Sequence, residues 1–337
     1  MSSAFIESVQ DHSAGLPSGE HGGPDARRQV ATQVGQALVG NVERILRGRR
    51  PAIELVVCGV LSGGHVLVED VPGSGKTTLA KAVARSIGGT FRRVQATADL
   101  LPSDITGSGV WDGDRLTFVP GPMFAHVVLV DELNRTPPRT QSAFLEAMEE
   151  GAVTVDGVRH QLPTPFLLLA TQNPMDQHGT YALPEGQLDR FTVCLHLGPL
   201  EAAAERQVVR EQLERATVDT LPPVTDPDIL AAVTAEVRRT YVADPVLGYA
   251  VDLARATRED PRVRHGASAR AALALVRCAQ ALATLRGHDH VGPDEVKALA
   301  FPVLAHRVTL ADGRAGGQGG AAVVQQALER VPVPPRP

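Results

Sequence analysis

Asp70-Val71-Pro72-Gly73-Ser74-Gly75-Lys76-Thr77-Thr78 is the stretch of this sequence whose residue types and spacing most directly specify chemistry. A phosphate chain binds where several backbone N–H groups converge on one concavity, and glycine permits the backbone angles this needs. The positive end of a following helix adds to the attraction. Lys76 is expected to reach β- and γ-phosphates, and the Thr77 hydroxyl to bind Mg2+. The strict pattern has glycine where Asp70 stands, so the run is a near match.

Two further strand ends carry polar groups. Val127–Val130 leads into Asp131-Glu132, which would place two carboxylates at the carboxyl edge of a sheet, where open α/β sheets bind ligands. Asp131 is expected to hold Mg2+ and Glu132 to polarise an attacking water. Phe166–Ala170 leads into Thr171-Gln172-Asn173-Pro174, whose Asn173 amide could position that water; Asn before Pro is also an ordinary turn starter.

The elements that must position these groups alternate. His65–Glu69, His126–Val130, Phe166–Ala170 and Phe191–Leu197 read as buried strands, and Thr77–Ile87 and Pro138–Glu150 as helices. Continuous apolar strands separated by helices imply an α/β fold with a parallel sheet covered on both faces. Two inserts interrupt it: a hairpin signal at Asp156-Gly157, and the Pro- and Gly-rich stretch 102–122. Residues 1–30 read as a disordered tail, 31–198 as the α/β core, and 199–333 as an all-helical domain. The expected helices of the last are Glu201–Ala216, Asp228–Val242, Val246–Thr257, Ala269–Arg286 and Pro293–Ala305. Arg44, Arg47, Arg49 and Arg50 read as a solvated helix face, and Glu149–Glu150 as a solvated helix end.

Composition bounds the partners. The 337 residues carry a net charge of −5, and aromatics are only 4%, which argues against a generic DNA coater or a base-stacking platform. Three scattered cysteines point to a reducing compartment, and no apolar run approaches a membrane span, so a soluble cytoplasmic protein is expected.

Phosphate loop, Asp-Glu strand and Asn-tipped strand occur in the order expected of AAA+ ATPases. The runs HVLVEDVPGSGKT, LVDELNRTPPRTQSAFLEAMEEG, ATQNP, LPEGQLDRF, GASARAALALVRCAQALA and VLAHRV resemble the MoxR branch of that superfamily, from about residue 33 to 333. The resemblance implies an AAA+ nucleotide-binding domain followed by an all-α lid, with ATP and Mg2+ as cofactors. It implies that Arg190 matches the arginine inserted into a neighbour's nucleotide site. Arg270 matches the lid's sensor arginine, which contacts the γ-phosphate from the same subunit; relatives carry Pro where Ala269 stands. Ile45–Arg49 aligns with the segment that brackets adenine, and the two inserts match elements that face a ring's pore. Further implications are a homo-oligomeric, hexameric ring, a von Willebrand factor A domain partner, and a client protein complex matured by chaperone-like remodelling. A nucleic-acid motor and a magnesium-chelatase-like ATPase subunit are the alternatives. Acidic residues at the insert tips, Asp104, Asp112, Asp114 and Asp156, argue against a DNA-gripping pore.

Overall fold

The computed structural model describes residues 23–70, 73–172, 180–198, 205–206, 210, 218–313 and 315–335. Residues 1–22 of the expected tail and most of the expected helix 201–216 lie outside them. The first described element is helix α1 (Pro24–Glu43), so residues 24–30, expected as tail, are instead its first turns. Proline is tolerated at a first helical position because its missing N–H has no partner there, and Ala31 and Val34 then begin the buried face. Helix α2 (Arg50–Leu61) follows and is buried along most of its length.

The central sheet is β1 (Val66–Glu69), β2 (Phe91–Gln95), β5 (Val127–Asp131), β8 (Leu167–Gln172) and β9 (Val193–Leu195). Its order is β2-β5-β8-β1-β9 and every pairing is parallel. The strand β2 was not expected, because Arg92 and Arg93 break its apolar run; only Val94 of its side chains is buried. Helix α3 (Lys76–Ser86) crosses from β1 to β2 and buries Leu79 and Val83, while α5 (Pro138–Glu150) buries Phe144, Leu145 and Met148. Alternate residues of β1 point into two cores: Val66 and Val68 into one, Leu67 into the other.

The stretch 102–122 folds as a short helix α4 (Pro102–Thr106) and a hairpin of β3 (Gly107–Asp112) and β4 (Arg115–Pro120). Its base closes because Gly107 and Gly121 have no side chains: a Cβ on Gly107 would stand 2.2 Å from the Val119 carbonyl oxygen. The hairpin expected at Asp156-Gly157 is β6 (Ala152–Val155) with β7 (Val158–Gln161).

The short helix α6 (Glu185–Leu188) precedes β9, and beyond β9 come the lid helices α7 (Pro227–Val237), α8 (Asp244–Arg258), α9 (Ala269–Leu285), α10 (Pro293–Leu304) and α11 (Gly317–Arg330). Ser268 caps α9 by accepting from the Ala271 N–H, so the helix starts well without a proline at Ala269. The expected all-helical half also holds two small strand pairs, Tyr241–Val242 with His290–Val291 and Val263–His265 with Thr309–Leu310. No helix among the described residues is long and apolar enough to cross a membrane.

Candidate nucleotide site and an arginine pair

In a parallel sheet all carboxyl ends fall on one edge. Glu69 stands in register with Gln172, and Gln95 with Asp131, so the phosphate loop leaves the sheet on the side where Asp131, Glu132 and Gln172 emerge. Gly73 and Gly75 both have left-handed backbones, at φ 83° and 98°, which explains the glycines by conformation; neither position is crowded. Lys76 opens α3, and its Nζ donates to the Asp70 carbonyl at 3.1 Å. Val71, Pro72 and Asn173 lie outside the described residues. Thr77 and Thr78 occupy the first turn of α3, where unpaired N–H groups favour an anion.

Asp70 has a structural reason for replacing glycine. Its Oδ2 accepts the backbone N–H groups of Leu197 at 2.9 Å and Gly198 at 3.1 Å, tying the start of the loop to the exit of β9. Arg49 lies beside it electrostatically and is buried, 8% exposed, with burial lowering its pKa. The reading of Arg49 as part of a solvated face therefore fails; Arg50, ion-paired to Glu43 and Glu54 in the open, fits it.

The carboxylates are closely held. Asp131 takes Arg93 Nε on Oδ2 at 2.6 Å, and Thr171 Oγ1 lies 3.4 Å from its Oδ1. Glu132 adopts a left-handed backbone, φ 59°, uncommon for a residue with a side chain and a place where functional sites store strain. Its N–H donates to Thr171 Oγ1 at 2.9 Å, and its carboxylate meets Arg135 at 3.0 Å. Sequence reading missed Arg93 because its alternation on a polar strand looks like ordinary solvation.

The residues fit a magnesium nucleotide. The Ser74 hydroxyl is buried in the loop without a partner. Thr77 and Asp131 offer hard oxygen donors, the kind Mg2+ takes alongside phosphate oxygens. Among the described residues no cluster of three or more His, Cys, Asp or Glu could hold an ion by itself. A cleft of about 960 Å3 runs from Glu69, Asn134 and Gln172 to the lid segment around Gly313–Gly319.

Arg190 and Arg270 lie elsewhere. Arg190 precedes β9, and the neighbouring Thr192 N–H bonds the His65 carbonyl just before β1, so this is the amino edge of the sheet. Met148, near the end of α5, meets His65 Nε2 at 3.0 Å on the same edge. There Arg190 donates Nε and Nη2 to Glu149 Oε2 at 3.0 and 2.8 Å, and Nη1 to the Gly186 carbonyl at 2.8 Å. Arg270 Nη2 takes the other oxygen of the same carboxylate. Glu149, exposed at the helix end as expected, is thus also the counter-ion of both arginines, and its pKa is lowered by Arg190 first and Arg270 second. The expectation that Arg270 reaches its own subunit's γ-phosphate is corrected too. It sits across the length of β1 from the phosphate loop, which is about 13 Å for four residues.

Buried Arg307 fixes the intervening turn. Its Nη2 donates to the carbonyls of Asp189 at 3.1 Å and Phe191 at 2.8 Å, and its Nε lies 3.1 Å from Asp189 Oδ1. Burial lowers its pKa to about 10. Ser268 Oγ also donates to Asp189, at 3.1 Å.

The model of the ATPase family associated with various cellular activities (AAA) matches residues 65–193, and that of the AAA lid domain matches 255–327. The chain is 36% identical to Chaperone MoxR1 of Mycobacterium tuberculosis over 87% of this chain and 80% of that one. It belongs to the MoxR family of AAA+ ATPases. Identity reaches 42% with YeaC of Bacillus subtilis, uncharacterised, over 88% of this chain and 93% of that protein. A crystal structure of an ATPase candidate from Cytophaga hutchinsonii superposes with a TM-score of 0.83 at 31% identity, covering 92% of this chain and 97% of that one. MoxR membership accounts for the order of loop, acidic strand and lid seen here.

Proposed function

We propose that this MoxR-family chain hydrolyses ATP with Mg2+ in a ring of identical subunits, a hexamer, and uses the cycle to remodel a client protein complex. Bound ATP supplies the phosphoanhydride, and Mg2+ charge compensation at its phosphates. The chain's own residues do the rest. The loop 70–78 and Lys76 would cradle the phosphates, and Thr77 and Asp131 would hold Mg2+. Glu132 polarises the attacking water, aided by Asn173.

The observation that carries the ring is the pairing of Arg190 and Arg270 on Glu149, on the opposite edge of the sheet from their own phosphate loop. Two guanidiniums gathered there have no use for their own nucleotide, and both suit a neighbour's. An arginine supplied across an interface raises phosphoryl-transfer rates by about 10³–10⁵ in GTPases.

Protein is the better client class than nucleic acid. The β3–β4 hairpin exposes Trp111, at 70%, with Leu116 opposite it, beside Asp112 and Asp114. In the second hairpin Arg159 is already paired with Glu150 at 3.2 Å. A tip with exposed apolar side chains and two aspartates against one arginine, Arg115, suits polypeptide better than a phosphate backbone. A von Willebrand factor A domain protein is the partner that the MoxR resemblance suggests, and the name chaperone borne by the Mycobacterium relative fits a client role.

The test is subunit mixing. Arg190→Ala and Lys76→Ala should each lose nearly all ATPase activity, and mixed rings should regain part of it, because an intact loop then meets an intact arginine. Mixed rings that stay inactive while both variants assemble would refute action across the interface.

A further inference from the structure

We infer that Glu149 is the positioning residue that makes Arg190 and Arg270 one catalytic unit, an inference that rests on the proposed role of these arginines at a neighbour's nucleotide. A guanidinium has five N–H donors. Arg190 spends three of them within its own chain, two on Glu149 and one on the Gly186 carbonyl. That leaves two for an external acceptor while the plane of the group is fixed. Arg270 gives Glu149 only Nη2. One carboxylate thus joins two cations that would otherwise repel.

The platform under Glu149 is rigid. The Met148 carbonyl is bonded to His65, the Glu150 carbonyl accepts from Arg159 Nη2 at 3.2 Å, and Gly151 closes the helix through its N–H to the Ala147 carbonyl. Backbone on either side of Arg190 is fixed by buried Arg307, so the arginine is held at both ends.

Helix formation does not explain the residue. Carboxylates are disfavoured at a helix C-terminus, where the dipole is negative, and α5 has no basic residue in its last turn. Glu149 therefore opposes local helix electrostatics, and its compensation comes wholly from residues on other elements. The interaction is half exposed, so it adds little to stability. Its effect is geometric: misplacing a transition-state donor by about 1 Å costs about 100-fold in rate.

The experiment compares Glu149→Gln, Arg190→Ala/Arg270→Ala, and the triple variant, all in the full chain. Gln keeps the shape and removes the charge. We expect kcat of Glu149→Gln to fall about 10–100-fold with KM for ATP within roughly twofold. ADP affinity and sedimentation behaviour should match the parent. In the Arg190→Ala/Arg270→Ala background the same change should alter residual turnover by less than about twofold, because a residue acting through the arginines has nothing left to position. Normal turnover of Glu149→Gln, or an equal loss in both backgrounds, overturns the inference. If Arg190→Ala itself keeps full turnover, the inference falls together with the reading it rests on. An impaired Arg190→Ala beside a normal Glu149→Gln overturns the inference alone.

Discussion

His65 is held by two bonds that specify its neutral form. Its Nδ1 accepts the Leu168 N–H at 3.1 Å, so Nε2 carries the proton and donates to the Met148 carbonyl at 3.0 Å. Burial lowers its pKa from 6.5 to about 4. A group with a depressed folded pKa is protonated in the unfolded chain first, so its contribution is complete above pH 6.5 and is lost as pH falls toward 4. In urea unfolding between pH 7 and pH 5, parent stability should therefore fall faster than that of His65→Gln. Below about pH 6.5 the two should converge by about 1.4 kcal/mol per pH unit. Parallel profiles would contradict neutral burial. At this scale the sequence was legible where chemistry is local, as in loop 70–78 and Asp131-Glu132. Glu149 was not, because its partners lie 41 and 121 positions away and a pair of acids at a helix end resembles solvation. Arg49 and Arg93 were missed for the same reason.

Helix α5 links three regions by being one continuous piece. It starts shortly after Asp131-Glu132, presents Glu149 in its last turn, and runs into the β6–β7 hairpin. That hairpin leans on the other insert: His160 stacks on Phe118 with ring centroids 3.8 Å apart, and Phe118 meets Phe124 edge-on at 5.4 Å. A shift of α5 would therefore move arginine pair and both inserts together. Phe118→Ala removes the shared ring, an aromatic contact worth about 0.5–1.5 kcal/mol beyond its area. Hydrogen exchange should speed up about 3–10-fold at residues 152–161 as well as at 107–120. Unchanged protection at 152–161 would mean that the hairpins do not support each other. The apolar strands were legible because burial on both faces leaves no alternation to confuse. Edge strand β2 was not, since Arg92 and Arg93 face solvent from it, and β3–β4 hid in a glycine- and proline-rich run that reads as loop.

Across the whole molecule, the boundary expected near Gly198–Pro199 does not separate two cores. One apolar cluster includes Val34 of α1, Ile53 of α2, Val68 of β1, Leu79 of α3, Leu253 of α8, Leu275 of α9 and Val303 of α10. Helix α1 makes the join: Gly35 lets α9 approach so closely that a Cβ there would stand 2.6 Å from Leu285 Cδ2. Thr32 and Gln36 donate to the carbonyls of Thr284 and Leu285 at 2.9 and 3.1 Å. Sequence periodicity reports which face of each helix is apolar, and it is silent on which other helix covers that face. Elements that share a core lose their contacts together, so calorimetry of the full chain should show one transition rather than one per domain. Adding ADP with Mg2+ sharpens the test. Ligand at 100 times its Kd stabilises the state that binds it by about 2.7 kcal/mol, and in a joined core that gain raises the entire transition. A second transition that ADP leaves in place would show the lid melting on its own, and would make α1 a strut between two domains rather than part of one core.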